Sequence, residues 1–388
     1  MEKDLISEKK EVLQEKAVEL SRTFDNLLLS WATGTSKTLA AIKCMEDWWN
    51  DEHEKSPEKV YIVLKESNHK DNWIAEFKKW GYEEALDKVE FFCYASLKNY
   101  RNTRVGMIIL DEVHALSEVR EDHLGTIECD KLISLSATVQ QTVKARLKAY
   151  KPGFYEWHIS LNDAISQGLL PEPDMHTLRI PLDDEKQEFL YKANKKDEGE
   201  LLTAKKYYQR LTNAAQYWDE QYMKQGKTWQ YTKSMMLSLD RKRFLANLKT
   251  DWIARLLNYL EDKRLICFTG SIAQCNLLGG KEAVNSDVDS IDRRHLIASF
   301  NEREIDKLFA VGMLREGMNL EAIDAAIIGQ LDRKPGSGEQ MSGRAMRSLA
   351  PQIYVLAIQG TSDEGYLNTF LKGIDKKFIH EFPLENLK

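Results

Sequence analysis

Nowhere does the sequence stay apolar for the roughly 18 residues that a membrane-spanning helix needs. The opening stretch, MEKDLISEKKEVLQEK, carries charges where a signal peptide would have its apolar centre. Cysteine is scarce. Cys44, Cys93, Cys129, Cys267 and Cys275 are odd in number, scattered, and form no C-x-x-C pair, which argues against both a zinc knuckle and a disulfide framework. A reducing cytoplasm is the expected compartment. There is also no basic excess: the net charge of −6 does not advertise a polyanionic partner. Low-complexity segments are absent. What remains is 388 residues, 43% apolar and 30% charged, which suits a soluble protein of two domains with room for an insertion.

Short apolar runs alternate with helical spacing from residue 1 to about 178: NLLLSW, KVYIVL, VEFFCYASL, VGMIILDE and KLISLSAT. The pattern returns from about 263 with RLICFTG, KLFAVGM, AAIIGQL and QIYVLAI. Uniformly apolar strands separated by helices predict α/β domains whose parallel sheets are covered on both faces. Between them, LLPEPDMHTLRIPL has three prolines and predicts an extended connector. Helical spacing then dominates to about 260, interrupted by Gly199 and Gly226. The expected division is residues 1–178, a connector and helical insertion at 179–262, and residues 263–388.

The stretch LLLSWATGTSKTLAAI, residues 27–42, runs from a strand through a small-residue loop into a helix. Phosphates require inward backbone N–H groups, a helix N-terminus, a lysine and a metal-binding hydroxyl. Gly34, Lys37 and Thr38 supply these, with Thr35 and Ser36 completing the loop. The usual spelling has glycine where Trp31 and Ser36 stand. If position 36 needs a positive φ, serine costs about 1 kcal/mol there, and such a cost weakens a site without abolishing it. A second apolar run, GMIILDEVH, ends in Asp111 and Glu112. Buried strands do not end in two acids for packing reasons; here Asp111 is suited to magnesium and Glu112 to the attacking water.

The order of these motifs resembles the superfamily 2 helicases and translocases. ATGTSKT is similar to motif I, DEVH to motif II of the DExH kind, and SAT (Ser136, Ala137, Thr138) to motif III. VLKESNHKDNWIAEFKKW resembles motif Ia as spelled in Swi/Snf-like and phage translocases. ICFTGS, containing Thr269, sits where motif IV would be. VGMLREGMNL matches motif V through Gly317 and Asn319, and QMSGRAMR matches motif VI through Gln340, Gly343, Arg344 and Arg347. The resemblance implies two RecA-like P-loop domains with ATP and magnesium held between them. It implies that Arg344 and Arg347 reach the γ-phosphate, with Gln340 in the same site, and that His114, Ser136 and Thr138 couple hydrolysis to movement. It further implies nucleic-acid contacts at Asn72, Trp73, Thr269, Gly317 and Asn319. Gln14, on the first helix, is either an adenine reader or a surface glutamine.

Between Tyr191 and Thr250 there are 13 Lys/Arg against 6 Asp/Glu, with nine aromatics interleaved. Such a mixture grips phosphates and stacks on bases, or else makes a helical segment with a solvated basic face. Arg241, Lys242 and Arg243 are its densest basic run. The function expected is a nucleic-acid-dependent ATPase, a DNA helicase or double-strand DNA translocase. An RNA helicase, or a binding clamp weakened at Ser36, stays open. No membrane partner is expected, and protein partners are not indicated.

Overall fold

The computed structural model describes residues 2–52, 59–67, 69–192, 198–311, 320, 323–331 and 351–387. It begins with α1 (Glu2–Thr23), β1 (Asn26–Trp31), α2 (Lys37–Glu52), β2 (Val60–Leu64), α3 (His69–Lys79), β3 (Val89–Cys93) and β4 (Arg104–Leu110). There follow α4 (Glu118–Leu124), β5 (Glu128–Ser136), α5 (Gln141–Tyr150), β6 (Phe154–Ile159) and α6 (Leu161–Ser166). The six strands form one sheet in the order β3-β2-β4-β5-β1-β6, every neighbouring pair parallel. β1 and β2 are buried along their whole length, as continuous apolar runs require when helices cover both faces. Among the described residues, no helix is long and apolar enough to cross a membrane.

The second unit opens with β7 (Asp174–Ile180), then the antiparallel pair β8 (Phe189–Tyr191) and β9 (Glu200–Leu202). Two long helices, α7 (Ala204–Gln225) and α8 (Thr228–Leu248), lead into α9 (Thr250–Tyr259), β10 (Leu265–Thr269), α10 (Ile272–Gly279), β11 (Ala283–Val284) and α11 (Ser290–Asn301). β12 (Lys307–Val311), β13 (Ala325–Ile328), β14 (Gln352–Ile358), α12 (Ser362–Leu371) and β15 (Ile379–Glu381) complete it. Seven strands pair in the order β11-β12-β10-β13-β14-β7-β15, again all parallel. These two sheets with their helices are the two RecA-like domains expected.

All nine apolar runs named above became strands. In the two main sheets β6, β7, β11 and β15 had no such run, nor did the separate pair β8 and β9. β6 is an edge strand with half-exposed side chains, and β15 has only three residues. β7 is the segment read as a connector: it is extended as its prolines demand, but it lies between β14 and β15. The division expected near residue 178 therefore falls within this strand. An apolar cluster continues from Leu161, Ile165 and Leu169 through Met175 into the second sheet.

The helical insertion is an antiparallel pair turned at Gly226, whose φ of 65° closes α7 in the left-handed region. Each helix is roughly 32 Å long. At its base Phe189, Tyr207 and Phe244 pack ring against ring, and the Tyr208 hydroxyl accepts from the backbone N–H of Ser362 at 2.8 Å. The joint between α8 and α9 is pinned by charge. Lys249 and Asp363 are both buried, with Nζ 2.6 Å from Oδ2, and Nζ also donates to the Gly329 carbonyl at 2.9 Å.

Removing one partner of a buried ion pair leaves the other charge without compensation. Lys249→Met should lower the unfolding free energy of the second domain by about 3–5 kcal/mol in denaturant titration, and adding Asp363→Asn should recover most of that loss.

Candidate functional site

β4, β5 and β1 are neighbours, so the loops at their carboxyl ends lie side by side. The stretch after β1 is Ala32–Thr38, the stretch after β4 begins with Asp111 and Glu112, and β5 ends at Ser136. The crevice outside the carboxyl ends of parallel strands is where α/β sheets collect ligands. Ala32 is tied to β6 by its N–H on the Ile159 carbonyl at 2.9 Å, and the Thr35 hydroxyl donates to the Ala32 carbonyl at 2.7 Å. The Lys37 ammonium donates to the carbonyls of Trp31 at 2.8 Å and Ala32 at 3.2 Å. Gly34, Ser36, Lys37 and Thr38 are all half-buried, which leaves the loop accessible.

The two departures from the usual loop spelling differ in weight. Trp31 closes β1, is fully buried, and meets Trp157 edge-on at 5.0 Å; a large residue belongs there. Ser36 has φ 65°. The positive φ anticipated as a condition is met, and serine holds a conformation that glycine reaches without a Cβ clash. Glu112 is also left-handed, with φ 48° and ψ 54°.

Asp111 is held from several directions. Its backbone N–H donates to Val63 at 2.9 Å, and its carbonyl accepts from the Tyr94 hydroxyl at 3.0 Å. Burial, reinforced by Asp111 and Glu112, pushes the Tyr94 phenol well up, so it remains a donor. The Asp111 carboxylate accepts from the Trp73 indole N–H at 3.0 Å, with His69 Nδ1 at 3.7 Å from the same oxygen. Burial of His69 is the largest single influence and works against its charged form, but hydrogen bonding to Asp111 together with the negative charges of Asp111, Glu112 and Glu66 outweighs it and raises the imidazole above its ordinary value.

His114 joins the other motifs. Ser136 donates its hydroxyl to the Thr138 carbonyl at 2.9 Å, so it can accept from His114 Nδ1 at 3.2 Å. Lys65 Nζ lies 3.4 Å from Nε2. Lysine can only donate, so this pattern assigns the Nδ1–H tautomer to a neutral His114. Nδ1 is also 3.2 Å from Glu112 Oε2, but Oε2 receives no well-directed hydrogen bond although it is buried.

A hard-oxygen donor set of one hydroxyl (Thr38) and one carboxylate (Asp111) fits magnesium, which takes its other ligands from phosphates and water. Among the described residues no group of three or more His, Cys, Asp or Glu could cage a metal. Burial pushes the Cys44 thiol up to about 12, and Cys267 and Cys275 are likewise buried and raised, as packing residues.

Other expected residues fall in several places. Trp73 is only 2% exposed, so its ring has no face to offer a strand, while its neighbour Asn72 is half-buried. Thr269 is likewise buried, its hydroxyl donating to Ala310 at 3.3 Å, and it cannot touch a strand from there. Gln14 is buried on α1 rather than a surface residue. Arg241 donates to Thr212 at 3.4 Å, Lys242 lies over the Tyr366 ring at 5.8 Å, and Arg243 is exposed beside Asp240 at 3.5 Å. The aromatics of the insertion divide: Tyr208 and Phe244 are core, while Tyr217, Trp229 and Tyr231 near the turn are exposed. Gly317, Asn319, Gln340, Gly343, Arg344 and Arg347 lie outside the described residues. Sequence reasoning missed His69, Tyr94 and Lys65; the motif Ia spelling contains Lys65 and His69 and was the one available signal for them, while Tyr94 had none.

A family model described as the type III restriction enzyme, res subunit, matches residues 2–141, and one described as the helicase conserved C-terminal domain matches residues 248–348. No curated protein sequence matches the chain. Among solved structures, S. cerevisiae Dbp5 bound to RNA and ADP BeF3 is similar with a TM-score of 0.63 and 13% identity, covering 96% of this chain and 90% of that one. The Pyrococcus furiosus Hef helicase domain is similar with a TM-score of 0.52 and 15% identity, covering 92% and 96%. At such identities the likeness is one of fold.

Because the strain at Ser36 sits in the fold, Ser36→Gly should stabilise the first domain by about 1 kcal/mol, less the extra chain entropy of glycine. Thermal unfolding reads this directly; a lower midpoint for Ser36→Gly would show that the serine side chain holds the loop.

Proposed function

The chain belongs to the superfamily 2 helicases, and on that footing we propose that it is a nucleic-acid-dependent ATPase working as a DNA helicase or double-strand DNA translocase. The observation that carries this reading is the placing of Lys37, the Asp111–Glu112 pair and Ser136 on three adjacent strand ends. ATP with magnesium would supply the phosphoryl group and screen its charge. Lys37 would turn its ammonium from the loop carbonyls to the phosphates. Thr38 and Asp111 would hold the metal. Glu112 would take the proton of the attacking water, with the poorly directed bond at Oε2 leaving that oxygen an acceptor.

Gln340, Arg344 and Arg347 would complete the site from the second domain, their guanidinium groups meeting the charge that builds in phosphoryl transfer. His114, held by Ser136 and Lys65, would transmit the state of Glu112 to the turn at Thr138. Gln14 is kept as a candidate for reading adenine. Asn72, Gly317, Asn319 and the basic base of the α7–α8 pair would contact the nucleic acid. The preference for DNA rests on the Asn72-Trp73 and EGMNL spellings. The left-handed Ser36 favours one second reading, a nucleic-acid clamp that turns over ATP weakly or not at all.

Turnover by the purified chain, with duplex DNA, single strands or RNA added, tests these together. Duplex-stimulated hydrolysis that falls at least about 100-fold in Glu112→Gln, with nucleic-acid binding intact, is the expected result. Stimulation by RNA alone would move the substrate class, and no turnover with binding intact would leave the clamp. Arg241, Lys242 and Arg243 replaced together by alanine should weaken duplex binding and reduce the log–log salt slope by about one to three; an unchanged slope in the folded variant removes the base of the insertion from the interface.

A further inference from the structure

Trp73 opens the second turn of α3 with its ring enclosed, against Phe77 at 6.2 Å, and its N–H reaches a charged group. An indole nitrogen donates and never accepts. Once buried it requires an acceptor, and any carbonyl would satisfy it. Here the acceptor is Oδ2 of Asp111, the acid that the reading above assigns to magnesium, at 3.0 Å. A hydrogen bond to an ionised oxygen is stronger and more directional than one to a neutral carbonyl. The same oxygen faces His69 Nδ1 at 3.7 Å, so both neighbours from α3 lie on one side of the carboxylate.

This arrangement removes a freedom that Asp111 otherwise keeps. Its backbone is fixed by Val63 and Tyr94, but neither contact sets the terminal torsion of the side chain, which is broad for a carboxylate. The Trp73 N–H sets it by engaging Oδ2, which leaves Oδ1 outside that hydrogen bond. We propose that Trp73 is a positioning residue, whose indole N–H orients the Asp111 carboxylate for magnesium. The inference rests on the nucleotide-site reading and adds a role that the motif Ia resemblance did not imply. The Asn72-Trp73 pair is then divided, with the asparagine half-buried and the tryptophan enclosed against the metal acid.

The test is fluorescent mant-ADP binding as a function of magnesium concentration, with Trp73→Phe compared against the parent. Trp80→Phe is the control, because Trp80 lies just beyond the same helix, is exposed, and bonds Glu76 at 2.8 Å. Trp73→Phe should raise the half-saturating magnesium concentration about tenfold and leave metal-free mant-ADP affinity unchanged, while Trp80→Phe follows the parent. If Trp73→Phe folds poorly, benzothienylalanine at position 73 keeps the ring outline, lacks only the N–H, and should show the same shift. A parental magnesium dependence in either folded variant overturns the proposal. So does an equal loss of affinity with and without magnesium, which is what a merely structural role would give. A parent that binds mant-ADP with no magnesium dependence refutes the nucleotide-site reading, and this inference with it.

Discussion

A parallel strand covered by helices on both faces has only its two ends left for polar chemistry, and this limit shapes the molecule. In both main sheets every neighbouring pair is parallel. All carboxyl ends in a sheet then point one way, and residues far apart in sequence meet along a single edge. Ala32–Thr38, Asp111–Glu112 and Ser136 meet because β5 lies between β4 and β1. No long-range side-chain pairing is needed to gather them. The hydrogen bonds of Lys65 and Ser136 with His114, and of Trp73 with Asp111, then adjust groups that the sheet has already made neighbours.

Two left-handed non-glycine residues, Ser36 and Glu112, stand on that same edge. Strain of this kind persists only where the surroundings over-determine the backbone. At Ser36 the constraint comes from β1 below and α2 above, the Ser36 carbonyl accepting the N–H of Ala40 at 3.1 Å. At Glu112 it comes from the Asp111 backbone bond to β2 and from the short turn at Val113–Ala115. The second domain concentrates its uncompensated risk elsewhere, in the Lys249–Asp363 pair that fastens the helical insertion to α12 and to the end of β13.

The fold was legible in the sequence wherever a strand was buried on both faces, because such strands are uniformly apolar. It was illegible at β6, β7, β11 and β15, where exposure of one face or extreme shortness dilutes the signal. The phosphate loop and the two acids were readable from residue type and spacing. What could not be read was orientation. Trp73 and Thr269 belong to motifs expected to meet nucleic acid, yet they turn inward, and spacing alone does not say which face of a helix turn or strand end a side chain takes. The same ambiguity divided the aromatics of the insertion, some holding its base and others exposed near its turn.

The place of β7 bears on how the chain is made. Its partners are β14, which begins at Gln352, and β15, which begins at Ile379. At typical synthesis rates β7 leaves the ribosome roughly 10 to 35 s before its first partner strand does. For that interval a strand meant for a sheet interior has no sheet. Its alternating sequence, with Asp174, His176 and Arg179 between Met175, Leu178 and Ile180, keeps charge within every short window and makes it a poor template for pairing with other chains. The alternation that hid β7 from sequence reading is thus what a strand needs if it must wait for its neighbours.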